Sequence, residues 1–384
     1  MTYQPAYLST NQATHSDSTE ARQVSRMQRH DITSGYSRDR HLLLTAPPQI
    51  ALQAGGTPIG PDANPRQAFA AAGADFVVSA KPLAFDASAG TTSDDVEALL
   101  PSDWRCVATH KAMVRDDNNR CLGIVGRNYS PVQQSALITL FDYLREDAQI
   151  DNIVTLRHGA KTVVTASLSI EGEVKEGDTV RRYLHAFNSF DGSTSLGVFF
   201  SDMRMVCSNQ IAYITGKGAR AASAAGEGLL MRHTSGVQKF AERLPQLIDL
   251  QNRRFEQDLA ELRPLTTARL TTEAARAILE ATFADKLAVP LSDRESGKKR
   301  QRTLDDLTEI PLIRSHYGQG TGIGIDTADK SVWNMLQAIT QNQTHDLGRG
   351  ATDLDRARAR LESLWGGDAS KRIARAKQAC LAAV

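Results

Sequence analysis

Apolar and polar positions follow three different patterns along this chain. Residues 1 to about 84 show no sustained period. They are rich in Ser, Thr, Gln, Ala and Gly, with short apolar islands at HLLLTA and AFAAAGADFVVSA. LLLTAPPQIALQAGGTPIGPDANP holds enough Pro and Gly to interrupt regular elements. The stretch 1–84 therefore reads as a flexible N-terminal tail, with one docking segment near 67–79 and the first 60 or so residues mobile.

From about 85 to 216 the period shortens to that of strands. WRCVATHKAMV and CLGIVGRNYS flank DDNNR, a turn signal that predicts a hairpin. SPVQQSALITLFDYLRED follows as a helix, with Ser130 as N-cap, Pro131 in the first turn, and Leu137, Leu140, Phe141 and Leu144 on one face. IVTLRHGAKTVVTASLSI, VRRYLHAF, SLGVFF and RMVCSNQIAYIT then read as four or five strands, with VKEGDTV a hairpin turn.

Beyond about 217 the period lengthens to that of helices. HTSGVQKFAERLPQLIDLQNRRFEQDLAEL places Val237, Phe240, Leu244, Leu247, Phe255, Leu259 and Leu262 near one stripe, with Pro245 a kink or a fresh start. Further helices are predicted at 272–288, 302–315, 328–342, 351–365 and 369–383. SDRESGKKRQR between them reads as an exposed basic loop. The fold class is thus α+β: an antiparallel-rich sheet core over 85–216 with an inserted helix, then a mainly helical region over 217–384 that packs on the core.

Composition narrows the function classes. The chain of 384 residues is 41% hydrophobic and 23% charged, as globular proteins are, and long enough for a sizeable core. A formal net charge of +1 argues against a strongly basic nucleic-acid binder, although a local patch fits within a neutral total. Cys106, Cys121, Cys207 and Cys380 lack any CxxC spacing, and the nine histidines show no HxH, HxxxH or HExxH. Neither a metal site nor a disulfide framework is predicted, and no motif points to a cofactor. The amino terminus lacks the features of a signal peptide and no apolar run is long enough for a bilayer, which together suggest a cytoplasmic protein with no membrane partner.

Candidate chemistry centres on HAFNSFDGSTSLGVFFSDMRMVCSNQ. Asn188, Ser189, Asp191, Gly192 and Ser193 form a polar loop between two strand patterns. It reads as a phosphate nest, a metal-binding turn or a self-satisfied Asx-turn. Arg204, Cys207 and Asn209 follow on the next apolar run. Arg204 must find a partner inside an apolar strand, either a bound anion or a carboxylate such as Asp191 or Asp202. The polar loop and the Arg204 strand are therefore expected to meet in space. Cys207 reads as a nucleophile or as a small core residue, and His158 and His185 are placed to converge with Asp191. GQGTGIGID at 318–326 has alternating glycines but no preceding strand, so it reads as a loop between helices rather than a dinucleotide fingerprint. Basic residues interleaved with aromatics offer a second candidate, a grip on a nucleic-acid backbone: Arg127 with Tyr129, Arg181 and Arg182 with Tyr183, Lys217, and the basic loop carrying Lys298, Lys299 and Arg300.

LGIVGRNYSPVQ, HAFNSFDGSTSL, MRMVCSNQI and RHTSG, in this order, resemble the phage/plasmid-like protein family, a domain of unknown function. Gly123, Val125, Tyr129, Pro131, Val132 and Gln133 match its first segment, with Gln134 where Asn is usual. Asn188, Ser189, Asp191, Gly192 and Ser193 match its polar loop, and Arg204, Val206, Cys207 and Asn209 its following strand. SVWNMLQAITQNQTH is similar to a family helix, with Gln337 in place of Asn. The resemblance covers roughly 100–345. It implies a protein of a mobile genetic element, and its sheet-then-helix order is similar to that of phage single-strand annealing proteins, a likeness of fold order alone. The expectation is sequence-independent binding or annealing of single-stranded DNA, as a homo-oligomer. The alternatives are a counter-defence protein that binds a host protein, and an enzyme centred on Asp191, Arg204, Cys207 and Asn209.

Overall fold

The computed structural model describes residues 53–86, 104–194, 196–204, 210–212, 228–231, 242–292, 299–321, 325–326, 328–364 and 367–384, with backbone alone at 86, 104, 204, 210–212 and 228–231. They belong to one unit that spans Ala46–Val384.

An antiparallel sheet carries the fold. Its strands are β1 (Thr57–Pro58), β5 (Ala148–Leu156), β6 (Lys161–Lys175), β7 (Asp178–Ser189), β8 (Leu196–Arg204) and β10 (Gly228–Met231), in the order β1-β5-β6-β7-β8-β10. β9 (Gln210–Ala212) also pairs with β8. A smaller sheet joins β2 (Val78–Asp86), β3 (Trp104–Arg115) and β4 (Cys121–Gly126) in chain order. Local turn chemistry sets both main hairpins. Gly177, at φ 76°, closes β6 onto β7, and Asn119, at φ 57°, closes β3 onto β4. Both positions need the left-handed conformation that Gly and Asn tolerate best. The hairpins sit where DDNNR and KEGDT predict them.

Both faces of the large sheet are covered. On one, Val164, Ala166, Leu184, Ala186, Val198 and Phe200 meet three helices: α1 (Pro65–Ala71) through Phe69, α2 (Gln134–Tyr143) through Leu137, Leu140 and Phe141, and α3 (Leu244–Thr267) through Leu244, Leu247 and Ile248. On the other, Val154, Leu156 and Val163 pack with Leu361 and Leu364 of α8 (Asp353–Leu364) and Ile373 of α9 (Asp368–Ala382). A third cluster joins Val174 and Val180 at the far end of β6 and β7 to Phe255, Leu259 and Leu262 of α3. It also takes in α4 (Thr272–Thr282), α6 (Glu309–Gln319) and α7 (Val332–Gln341). Between α4 and α6 lie the short helix α5 (Ala284–Leu287) and the strand pair β11 (Leu291–Ser292) and β12 (Lys299–Arg300). The protein is α+β, with a helical C-terminal region.

Two features depart from the sequence reading. The segment 53–84 is not a free tail, because Ala68 and Phe69 of α1 are fully buried and β2 pairs with β3; residues 1–52 lie outside the described residues. Helix α2 begins at Gln134 rather than near Ser130, and its N-cap Gln133 makes no side-chain cap bond. The Gln133 amide is committed elsewhere: it accepts from Val78 N at 3.0 Å and donates to Val78 O at 2.8 Å. Of the two readings for Pro245 the fresh start holds, since it lies in the first turn of α3, which suits a residue without an N–H to offer; Val237 and Phe240 lie outside the described residues. Among the described residues no helix is long and apolar enough to cross a membrane.

Candidate nucleic-acid interface and the polar loop

The polar loop after β7 is held by its own side chains and by the first family segment. Ser189 Oγ donates to Thr194 O at 2.8 Å and accepts from Thr194 N at 3.1 Å, while Asp191 Oδ1 accepts from Ser193 N at 2.9 Å, an Asx-turn around Gly192 at φ 72°. Asn188 Nδ2 donates to Val132 O at 2.7 Å, and the Tyr129 hydroxyl donates to Ser189 O at 2.7 Å. Burial, with the Asp191 charge adding to it, pushes the Tyr129 hydroxyl above its ordinary value. Beneath the loop, fully buried Phe190 packs with Phe76, Met113 and Val125. A Cβ on Gly123 would clash with Asp191. The two family segments are therefore two halves of one clasp between the sheets.

The expected joint site of Asp191 and Arg204 does not form. The loop lies at the Leu196 end of β8, whereas Arg204 closes the other end, opposite Val180. Eight residues of strand separate the ends by roughly 26 Å, beyond the reach of an arginine. Asp202 belongs to an internal ion pair with Arg182. Arg182 donates to Asp202 Oδ1 and Oδ2 at 2.7 and 2.8 Å, to Gln251 O at 2.6 Å and to Asp258. His185 does not converge with Asp191 either: its ring nitrogens meet Thr165 Oγ1 at 3.1 Å and Ser201 Oγ at 2.7 Å inside the sheet. Cys207 and Asn209 lie outside the described residues.

The basic residues chosen from sequence also scatter. Arg182 and Tyr183 are buried and cannot meet a phosphate or a base. Both sit on a strand covered on its two faces, so alternation along it does not mark an outside. Arg181 is paired with Glu171, and Arg300 with Asp306 through two bonds at 2.7 and 2.5 Å. Tyr129 is half-buried in the clasp. Arg127 and Lys299 are exposed. Lys217 and Lys298 lie outside the described residues.

A different element gathers exposed cations. β4 pairs with β3 only over His110 to Val114, so the earlier part of β3 is flanked by β2 alone. Along that ribbon Arg105, Cys106, Ala108, Thr109 and His110 are exposed in near-unbroken succession, so among the described residues nothing buries either ribbon face there. Lys81 and Arg105 are exposed, Lys111 is half-buried, Arg127 follows β4, and Phe85, opposite Arg105, is 53% exposed. Over the three strands Lys81, Arg105, Lys111 and Arg115 stand against a single acid, Asp86. Arg115 is committed to Asp117 and to the Phe76 ring at 3.8 Å. Sequence alone does not group Lys81, Phe85, Arg105 and Lys111, because the ribbon's two strands are separated by residues 87–103. Among the described residues no group of His, Cys, Asp or Glu could hold a metal ion.

The family described as Domain of unknown function (DUF932) matches residues 121–365. The chain belongs to this family. The DUF932 region opens at β4 and closes after α8, so it contains the polar loop, the large sheet apart from β1, and most of the helices, while β1, α1, β2 and β3 precede it. No curated protein and no solved structure matches the chain.

Proposed function

We propose that this protein binds single-stranded DNA without sequence preference, through the ribbon of β2 and β3. The observation that carries this reading is an exposed two-stranded ribbon that bears Lys81, Arg105 and Lys111, with Arg105 directly opposite the exposed Phe85. Cations along a strand track phosphates, and an exposed aromatic face stacks a base regardless of its identity. The likeness to a phage/plasmid family supplies a setting in which single strands arise. The near-neutral total charge then makes binding local and weakly steered.

The test is a fluorescence-anisotropy titration of a labelled oligothymidylate at several salt concentrations. Three phosphate contacts give a log–log salt slope of about −2, at roughly −0.7 per contact. Lys81→Glu with Lys111→Glu weakens binding and flattens the slope. Duplex binding at equal or higher affinity shifts the reading to a ribbon in a groove. Absence of binding at low salt by folded protein ends the DNA reading and favours a host-protein partner.

A further inference from the structure

The C-terminal end of α6 and the residues that follow it, through Thr321, hold a chemistry independent of DNA binding. α6 ends in a left-handed cap at Gly320, φ 64°, whose N–H bonds His316 O at 3.0 Å. The cap turns the chain back so that Thr321 Oγ1 lies 2.8 Å from Nδ1 of His316. On the far side of the ring, Nε2 lies 2.5 Å from Asp346 Oδ2. Asp346 ends a π-helical turn, Asn342–Asp346, and Asn342 Nδ2 donates to the same oxygen at 3.4 Å. Turns of this kind recur at functional sites. We propose that Thr321, His316 and Asp346 form a nucleophile–base–carboxylate relay, with Thr321 accepting an acyl group from an activated ester.

Proton bookkeeping supports the assignment. An ionised carboxylate only accepts, so in the neutral imidazole Nε2 carries the proton and Nδ1 presents its lone pair to Thr321. The Thr321 hydroxyl therefore donates to His316. Ser315 Oγ, 3.1 Å from Thr321 Oγ1, has its own acceptor in Gln319 Oε1 at 3.2 Å. Burial differs along the relay as the chemistry requires: His316 is 6% exposed, while Thr321 is exposed to solvent. A hydroxyl that only closed a helix end would meet a main-chain group. This one meets an imidazole whose tautomer a carboxylate sets, and it belongs to an exposed residue.

The reaction balances without a cofactor. Thr321 Oγ1 forms a bond to the ester carbonyl carbon as its proton passes to His316 Nδ1, and Asp346 stabilises the resulting imidazolium. The carbonyl carbon–oxygen bond to the leaving group then breaks, with the proton delivered to the departing oxygen. Water repeats the sequence in reverse, releasing the acid and restoring the hydroxyl.

The experiment uses the full chain with p-nitrophenyl acetate, reading nitrophenol release and mapping the acetyl group by peptide mass spectrometry. Acetylation of Thr321 is expected, abolished in Thr321→Ala and retained in Thr321→Ser. His316→Ala lowers the rate at least about 100-fold, the lower end of general-base contributions. Asp346 is a positioning residue, so Asp346→Asn should displace the pH profile of acetylation as well as slow it. Circular dichroism reports folding of each variant. Because Thr321 is exposed, the Ala and Ser pair decides the matter even if His316→Ala fails to fold. Acetyl groups on lysines alone, or equal Thr321 labelling with and without His316, overturns the proposal.

Discussion

Gly123 of β4 lies against Asp191 of the polar loop with no room for a side chain: a Cβ on Gly123 would stand 2.6 Å from the Asp191 Cα and 2.9 Å from its Cβ. The contact is to backbone, so nothing flexible can yield. Gly123→Ala should cost about 1–3 kcal/mol, the usual range for overpacking, by forcing the loop off β4. Urea unfolding measures it. A variant as stable as the parent would show that the clasp is loose.

Arg182 holds β7, β8 and α3 together from the interior. It is 3% exposed and bridges Asp202 to the α3 groups Gln251 and Asp258. Arg182→Ala strands the Asp202 carboxylate in the core and should cost about 3–5 kcal/mol, whereas Arg182→Met with Asp202→Leu recovers most of that loss. Arg181→Ala, which opens the partly exposed pair with Glu171, should stay within about 1 kcal/mol. Denaturant midpoints of the set separate the cases. Equal losses for Arg181→Ala and Arg182→Ala would contradict the assignment.

Two groups in the large sheet give opposing pH dependences. Burial lowers His185 from 6.5 to about 3 and raises Asp151 from 3.8 to about 7. Asp151 Oδ2 is buried without a hydrogen-bond partner, where a proton would sit. His185 contributes fully above 6.5, and its contribution falls on acidification toward 3, because the unfolded chain binds the proton first. Asp151 contributes fully below 3.8, and its contribution falls as pH rises toward 7, because the native state keeps the proton longer. Each slope is about 1.4 kcal/mol per pH unit, so the two cancel between 3.8 and 6.5. Asp151→Asn should uncover a loss of stability on acidification through this window, and His185→Gln a gain. Unfolding midpoints at about pH 4.5 and about pH 6 read the sign directly. Matching slopes in the two variants would refute the pairing.

On the ribbon, Phe85→Ala should weaken single-strand binding by about 1–3 kcal/mol if its ring stacks a base. Arg300→Ala, by contrast, removes a cation already engaged by Asp306 and should leave the affinity unchanged. Anisotropy titrations of both variants distinguish a localised interface from general charge attraction. Equal losses would favour the latter.

What the sequence reveals of this fold is what local physics determines. The stripe of Leu137, Leu140, Phe141 and Leu144 is legible because helix period and burial coincide, and Asn119 and Gly177 because turns reward those residues directly. Arg182 was not legible. Its neighbour Arg181 is chemically identical, the strand is covered on both faces, and its partner Asp258 lies 76 residues away. The polar loop was legible as a unit but not in its role, since only the fold brings Gly123 and Tyr129 beneath it. The ribbon was hidden because β2 finds its partner only across residues 87–103.

The outer edge of β8 is shared by two short strands, β9 alongside Asp202 and Met203 and β10 alongside Leu196 to Phe199. β9 belongs to the chain before residue 213 and β10 to the chain after 227. A peptide bond cleaved between them would thus divide the protein into two polypeptides that remain stitched to one common strand. Such fragments should co-purify and reassemble when expressed separately.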